Sequence, residues 1–456
     1  MLPFISINPS NGKKIQSYTE TDKDMLNRVI RQSHERFILW SRTSFTERAN
    51  LLIKISDGLL RERENLAQLM ALEMGKPITQ GLAEADKCAW VCRYYAENAE
   101  AFLKSSDIPT EAKKSYVCFS PLGVVLGIMP WNFPLWQVLR FAAPTWMAGN
   151  TIILKHAPNV SGCAEAIARL VSEAGAPQGL YSVIHVQPDL IEDVISNPYI
   201  AAVTLTGSTA AGKSVAGLAG RYLKKCVLEL GGSDPYIILE DANLETAVDA
   251  CVTSRLINSG QSCIAAKRFI VTAPVHDDFV EQFVQTMQRK TYGDPQEGIY
   301  DIGPIARNDL REKLHSQVLT GKKEGAHVIL GGEVPERAGF FYPCTVITGV
   351  KKGMVLYHEE TFGPVATIIR AENETEAIAM ANDTMYGLGA AVFTSDVERG
   401  EKIAKDHLLA GSCFVNAFVR SDPRLPFGGI KASGLGRELG LYGIREFVNV
   451  KTVYVG

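Results

Sequence analysis

Cys263 stands in the run Asn258 to Phe269, NSGQSCIAAKRF, at a Gly-Gln-Ser-Cys turn between a helix-like stretch and a β-branched run. Its thiolate would be a nucleophile, whereas a neutral thiol is a small core side chain; residue type alone leaves both readings open. Three other segments bring chemistry-bearing residues to the end of an apolar strand. Asn132 lies in Pro130-Trp131-Asn132-Phe133-Pro134, where the flanking prolines fix the backbone just past a strand's carboxyl end, the edge at which open α/β sheets bind ligands. Its amide is a neutral double donor suited to a developing oxyanion, or else a turn residue capping the next helix. The stretch Thr206 to Gly212, TGSTAAG, puts small residues at a helix N-terminus, where phosphate can approach unpaired N–H groups; an ordinary helix cap would look the same. It matches neither Gly-x-Gly-x-x-Gly nor the Walker pattern. Glu229 closes the strand-like KKCVLEL ahead of Gly231 and Gly232. It is a general base if its pKa is raised, or a surface carboxylate at a loop.

These residues need elements to hold them. Apolar positions at three- and four-residue spacing predict helices in LNRVIRQSHERFILW, in ERANLLIKISDGLLRERENLAQLMALEMG and from Ile78 to about Phe102, so the first hundred residues are expected to be helical. Cys88 and Cys92, one helical turn apart there, read as packing residues. Beyond about residue 121, β-rich runs alternate with helices: GVVLGIM, TIILK, AAVTLTGS, KKCVLEL, PYIIL, RFIVT, HVILGG, VATIIR, AAVFT and SCFVN. Alternation of this kind predicts mainly parallel sheets covered on both faces. Ten strands are generous for one open sheet, so two tightly joined α/β domains fit better.

The bulk numbers narrow the class. The chain has 456 residues, 46% hydrophobic and 21% charged, with a formal net charge of -3. That charge offers no field for nucleic acid or an anionic membrane. No apolar run is long enough to span a bilayer, and MLPFISINPSNGKK lacks the layout of a secretory signal, so a cytoplasmic protein is expected. Nine scattered cysteines without Cys-x-x-Cys argue against a disulfide framework, and eight histidines without paired spacing against a metal site.

Taken together and in this order, PWNFP, LKHAP, TGSTAAG, LELGG, GQSC, EETFGP and PFGGIKASGLGRE resemble the aldehyde dehydrogenase superfamily across essentially the whole chain. The runs WNFPLWQVLR, LKHAPNV and LELGGSDP are most similar to bacterial succinate-semialdehyde dehydrogenases of the shorter type. The resemblance implies roles. Cys263 is the nucleophile, Glu229 the general base and Asn132 the oxyanion donor. Lys155 would bind the adenosine ribose, Gly207 and Ser208 lie beside the pyrophosphate, and Trp131, Glu360 and Phe362 would enclose the nicotinamide end. Arg140, eight residues after Asn132, and Gln137 would line the substrate tunnel. Arg424, Arg420 or Ser421, from the loop before PFGG, would complete a clamp for a distal carboxylate. The expected substrate is therefore a short ω-carboxy aldehyde, succinic semialdehyde first and glutaric semialdehyde or neutral aldehydes as alternatives. Pro158 occupies the place where NAD-selective relatives carry a glutamate, so either NAD or NADP is expected.

The resemblance also implies an architecture: a Rossmann-type cofactor domain from residues 1–102 and 122–229, an α/β catalytic domain from 230–425, and an oligomerisation arm from 103–121 with the C-terminal segment 426–456. A homodimer or homotetramer is expected. A coenzyme A-acylating relative would generally lack Glu229, and a cysteine hydrolase would need a histidine partner for the thiol, which PWNFP, TGSTAAG, LELGG and GQSC do not contain.

Overall fold

The computed structural model describes residues 4–456. Its first large sheet has six strands, in the spatial order Gly434–Leu435, Lys225–Glu229, Ile200–Thr206, Val124–Met129, Thr151–His156, Tyr181–Val183. All neighbours are parallel except the short Gly434–Leu435, which runs antiparallel to Lys225–Glu229. The chain enters at the central strand Val124–Met129, builds outward on one side, then returns to build on the other. The order therefore reverses between the carboxyl ends of Val124–Met129 and Ile200–Thr206, which is where a doubly wound sheet opens a crevice for ligand. The Asn132 and Gly207 turns leave from these two strand ends.

The central strand is buried almost throughout, as a strand covered on both faces must be. Gly127 within it faces the ring of Phe141, which a Cβ would meet at 2.4 Å, so the glycine lets the helix Trp136–Met147 lie close against the sheet. Every residue of that helix is buried. It is thus a core helix rather than an amphipathic one, and its polar residues Gln137 and Arg140 must find internal partners.

The second sheet has seven strands, ordered His327–Leu330, Thr345–Thr348, Val365–Ala371, Arg268–Thr272, Pro235–Ile238, Gly389–Phe393, Ser412–Val415. Only the edge strand His327–Leu330 is antiparallel. A small third sheet pairs Val448–Val455 antiparallel with Lys114–Pro121 across the full length of both. All ten runs read as β-rich carry a strand. Three strands of the two large sheets escaped that reading: Tyr181–Val183, Thr345–Thr348 and Gly434–Leu435.

The first hundred residues depart from the helical expectation at their start. Phe4–Ile7 and Lys14–Tyr18 form an antiparallel hairpin. The hairpin is tied inward by Ser6, whose hydroxyl donates to Glu73 at 2.6 Å, while the same carboxylate accepts the N–H groups of Gly162 and Cys163 at 2.9 Å each. A carboxylate at the start of the helix Ser161–Glu173 answers the positive end of its dipole. The remaining helices, Lys23–Trp40, Phe45–Arg61, Arg63–Met74 and Ile78–Phe102, follow the periodicity. The long second run divides at Glu62, which leaves helical geometry at φ -96°, ψ 7°.

Candidate active site

Two cavities meet at Cys263. One, of about 540 Å³, opens at the sheet's switch point and is lined by Trp131, Asn132, Gly207, Ser208, Glu360 and Phe362. The other, of about 410 Å³, is walled by the helices Ile78–Phe102 and Trp136–Met147, the helix Leu244–Leu256, and Val419–Ser421. Cys263 and Gln137 belong to both walls. The thiol thus stands at the throat between them, where a molecule bound on either side can reach it.

The loop that carries Cys263 is held by backbone geometry that few residues accept. Asn258, Ser259 and Gly260 are successively left-handed, at φ 54°, 58° and 75°. Asparagine and glycine tolerate this best. At Gly260 a Cβ would meet the Gly363 carbonyl at 2.2 Å, so only glycine fits. Side chains then bolt the loop down. Arg255 donates to the Gly260 carbonyl at 2.7 Å, and Gln261 accepts the N–H of Ala306 at 2.9 Å. The buried Lys267 donates to the carbonyls of Ser262 and Cys263 at 3.0 and 2.6 Å. Burial pushes the Cys263 thiol up to about 12, while Arg140 and Lys267 pull the other way.

Asn132 is buried and locked to the same loop. Its side-chain amide donates to the Gln261 carbonyl at 3.1 Å, and Asn258 donates to the Asn132 carbonyl at 2.6 Å. One Nδ2–H is thereby spent and the other remains for a ligand beside Cys263. Next to it, His156 donates from Nε2 to the Pro134 carbonyl at 2.9 Å and accepts the N–H of Ala157 at Nδ1, 2.8 Å away. Burial holds this imidazole down at about 4, so it is neutral.

Ser208 caps the helix Thr209–Arg221 by accepting the N–H of Ala211 at 3.2 Å. Its side chain does what the plain helix-cap reading expected. The cavity nevertheless runs past it to Thr209 and Ala210, residues of the first turn, where N–H groups lack helical partners and an anion is favoured. Gly207 spends its own N–H on the Glu229 carbonyl at 2.9 Å. Glu360 accepts the N–H of Gly232 at 3.0 Å and stands 3.6 Å from Lys267. Phe362 meets Trp131 edge-on at 5.8 Å. Lys155, in register with Ile128 one strand over, lies outside this cavity's wall, and burial lowers its pKa. A dinucleotide fits this cavity on two grounds: unpaired first-turn N–H groups at one end, and the buried, unpartnered Oε1 of Gln137 and Oδ1 of Asn132 at the other.

Glu229 is fully buried at the end of its strand, and neither carboxylate oxygen has a hydrogen-bond partner among the described residues. It lines neither cavity; its Oε1 lies instead where a Cβ on Gly428 would be, 2.7 Å away. Burial pushes its carboxyl well above the usual carboxylate range, the buried Glu438 adds to the rise, and Arg140 and Arg437 oppose it.

On the second cavity's side, Arg140 and Ser421 are in the wall, but Arg140 is already engaged. It is ion-paired with the buried Glu438, donates to the Thr206 hydroxyl at 3.2 Å and lies over the Phe427 ring. Arg424 does not reach the cavity, contrary to expectation. Asp422, two residues earlier, takes its guanidinium through two hydrogen bonds of 2.9 and 2.7 Å on the surface, above Trp90. Arg420 lines the cavity in its place. Sequence reasoning missed Glu438, Lys267 and Lys87. Glu438 lies within the quoted PFGGIKASGLGRE, and Lys267 lies four residues after Cys263, so position could have flagged both; Lys87 carried no signal.

The family model for "Aldehyde dehydrogenase family" matches residues 3–453. The chain belongs to the aldehyde dehydrogenase family. It is 46% identical, over the whole of both chains, to "Succinate-semialdehyde dehydrogenase [NADP(+)] 1" of Mycobacterium bovis, and 45% identical, again over both whole chains, to "Probable succinate-semialdehyde dehydrogenase [NADP(+)]" of Synechocystis. The fold matches a succinic semialdehyde dehydrogenase from Streptococcus pyogenes, solved with NADP+, at TM-score 0.97 and 35% identity over 99% of each chain. It also matches an aldehyde dehydrogenase from Bacillus cereus, solved with NAD+, at TM-score 0.96 and 32% identity over 100% of this chain and 93% of that one. These aldehyde dehydrogenases share the arrangement of two parallel-sheet units seen here.

Proposed function

We propose that this aldehyde dehydrogenase oxidises succinic semialdehyde to succinate, with NADP+ as its preferred hydride acceptor and NAD+ as a second. The observation that carries the reading is the position of Cys263 at the junction of the two cavities. Support for the substrate comes from the full-length relatives that bear this activity in their names. Support for NADP+ comes from the same names and from Pro158, which leaves no carboxylate to repel a 2′-phosphate.

The proposed sequence begins as Cys263 releases its proton to solvent water and the thiolate bonds to the aldehyde carbon. The carbonyl oxygen, now an oxyanion, is met by the second Nδ2–H of Asn132 and the backbone N–H of Cys263; one such donor is typically worth about a hundred- to a thousandfold in rate. Bound nicotinamide supplies the acceptor for the hydride, and a thioester remains on Cys263. Glu229 then takes a proton from water as the oxygen attacks the thioester carbon, and returns it to the departing sulfur, releasing the acid and the thiol. To reach that water Glu229 turns away from Gly428, a movement that breaks no hydrogen bond, since neither of its oxygens has one among the described residues. Its raised pKa suits a base working near neutral pH.

In the same reading, residues 1–102 with 122–229 form the cofactor domain and 230–425 the catalytic domain. The strand Val448–Val455, with Val450 and Tyr454 exposed on a sheet edge, joins a second copy in a cytoplasmic homo-oligomer. Turnover of succinic semialdehyde and of butanal, each with NADP+ and NAD+, tests the proposal. A strong preference for the semialdehyde with NADP+ is expected; equal kcat/KM for the two aldehydes would overturn the substrate.

A further inference from the structure

Lys267 is 1% exposed and lines neither cavity, yet its ammonium is aimed at the loop that carries the nucleophile. It donates to the Ser262 carbonyl at 3.0 Å and to the Cys263 carbonyl at 2.6 Å, and faces the Glu360 carboxylate at 3.6 Å. Its own backbone is pinned on both sides. The Lys267 N–H donates to the Asp234 carbonyl at 3.1 Å, and the Lys267 carbonyl accepts the Thr367 N–H at 3.2 Å. Two further contacts steady the same carbonyls. That of Ser262 also accepts the Ala265 N–H at 3.3 Å, and that of Cys263 packs against Gly232, where a Cβ would come within 2.8 Å.

These two carbonyls belong to the peptide units on either side of the Cys263 Cα. Both units are trans, and a trans peptide points its carbonyl and its N–H in opposite directions. Ser262, Cys263 and Ile264 line the 410 Å³ cavity, whereas Lys267 stands behind them. Carbonyls drawn back toward Lys267 therefore turn the N–H groups of Cys263 and Ile264 forward, toward the cavities. Among the described residues neither N–H has a hydrogen-bond partner. A cation on a carbonyl also polarises the amide it belongs to, so the N–H on the other side becomes a stronger donor. Burial lowers the Lys267 pKa; Glu360 and Asp234 oppose the fall, Arg255 adds to it and Cys263 opposes it. The two carboxylates thus favour keeping the proton on Lys267. Neutralising them would not by itself require one nitrogen to gather both carbonyls that flank Cys263.

We propose that Lys267 is the positioning residue of the oxyanion site: it holds the Ser262 and Cys263 carbonyls back, and so aims and strengthens the Cys263 N–H that meets the substrate oxygen. This rests on the reading above of Cys263 as the nucleophile and its N–H as an oxyanion donor. Lys267 touches no reacting atom and acts only through the backbone. It does for the main-chain donor what the Gln261 carbonyl does for Asn132, which is to fix its direction before substrate arrives.

Two reactions of the same thiolate separate this role from a general loosening of the loop. Addition to an aldehyde creates an oxyanion. Alkylation by iodoacetamide forms a sulfur–carbon bond at a saturated carbon as iodide leaves, and creates none. At a single pH both rates scale with the thiolate population, so their ratio cancels it. The experiment measures, with NADP+ saturating, the stopped-flow burst of reduced cofactor and the alkylation of Cys263 followed by peptide mass. The aldehyde is whichever of succinic semialdehyde and butanal the wild type turns over faster. In Lys267→Met the ratio of burst to alkylation rate is expected to fall by at least about tenfold. Lys267→Gln recovers part of it, because its amide can still donate to one carbonyl. If Lys267→Met loses less than this in the ratio, even with both rates lowered together, Lys267 only supports the loop and the inference is overturned. If Cys263→Ala keeps the burst, the reading of the nucleophile fails and the inference with it. Should both Lys267 variants fail to fold, a crystal structure of Glu229→Gln with the thioester trapped carries the test. The Cys263 N–H on the thioester oxygen, with Lys267 still on the Ser262 carbonyl, is the expected result. Lys267 withdrawn from that carbonyl, or the N–H turned away from the oxygen, overturns the inference.

Discussion

The two cavities that meet at Cys263 are made of different things. The larger is walled by strand ends and turns, the Pro130–Asn132 segment, Gly207–Ala210 and the Glu360–Phe362 loop, together with one face of the helix Asn308–Lys323, and its polar surface combines first-turn N–H groups with side chains such as Asn132 and Glu360. The smaller is walled largely by helix side chains, among them Lys87 and Arg140, whose polar partners Ser421 and Glu438 lie far away in sequence. The cofactor side is therefore fixed by local chain geometry, and the substrate side by tertiary packing. A change of side chain should leave the first nearly intact and retune the second.

The largest effect is expected at the throat. In Glu229→Gln, steady-state kcat falls by about 10²–10⁴ through loss of the base, while a burst of one reduced cofactor per site survives in stopped-flow. Loss of the burst would place Glu229 in the first half-reaction instead.

An intermediate effect is expected on the cofactor side, and it is one of stability. His156 has a folded pKa of about 4, below the roughly 6.5 of an unfolded histidine. Between those values the unfolded chain binds more protons, so stability is full above about pH 6.5 and is lost as pH falls toward 4, by about 3 kcal/mol. Glu229 and Glu438, with raised pKa values, titrate with the opposite sign, so the His156 contribution is isolated by comparing denaturant unfolding of the wild type and His156→Gln at pH 7 and 4.5. Equal slopes in the two proteins would remove His156 as the cause. The smallest effect belongs to Arg424→Ala, whose ion pair is on the surface and outside the cavity wall: selectivity for the semialdehyde over butanal is expected to change less than about twofold. A larger loss would show that the loop moves Arg424 inward when substrate binds.

The same division explains what could be read from sequence. PWNFP, TGSTAAG and LELGG are each a strand, a turn and the start of the next element, so their residues are neighbours in sequence and in space. The ten β-rich runs were visible because buried parallel strands are continuous apolar stretches. The N-terminal hairpin was not, because FISI is four residues long and alternates its burial too briefly to show a period of two. The meeting of Asn132 with Cys263 needed the fold, since the Gln261 carbonyl that joins them is 129 residues away. Arg140 lies in the cavity wall, yet its counter-ion Glu438 lies near the far end of the chain. Lys87 was invisible: one charged residue on a long helix looks like a solvated face until neighbouring elements bury it.

The short strand Gly434–Leu435 has a consequence for synthesis. Five strands of the first sheet are made by the time the chain reaches Glu229, but the outer edge beyond that strand is covered by Gly434–Leu435, which is synthesised long after them. The catalytic sheet between them is complete before that edge is. A nascent chain therefore carries an open strand edge through much of its translation. A chain truncated before Gly434 would leave that edge exposed, so this late segment is needed to close the sheet.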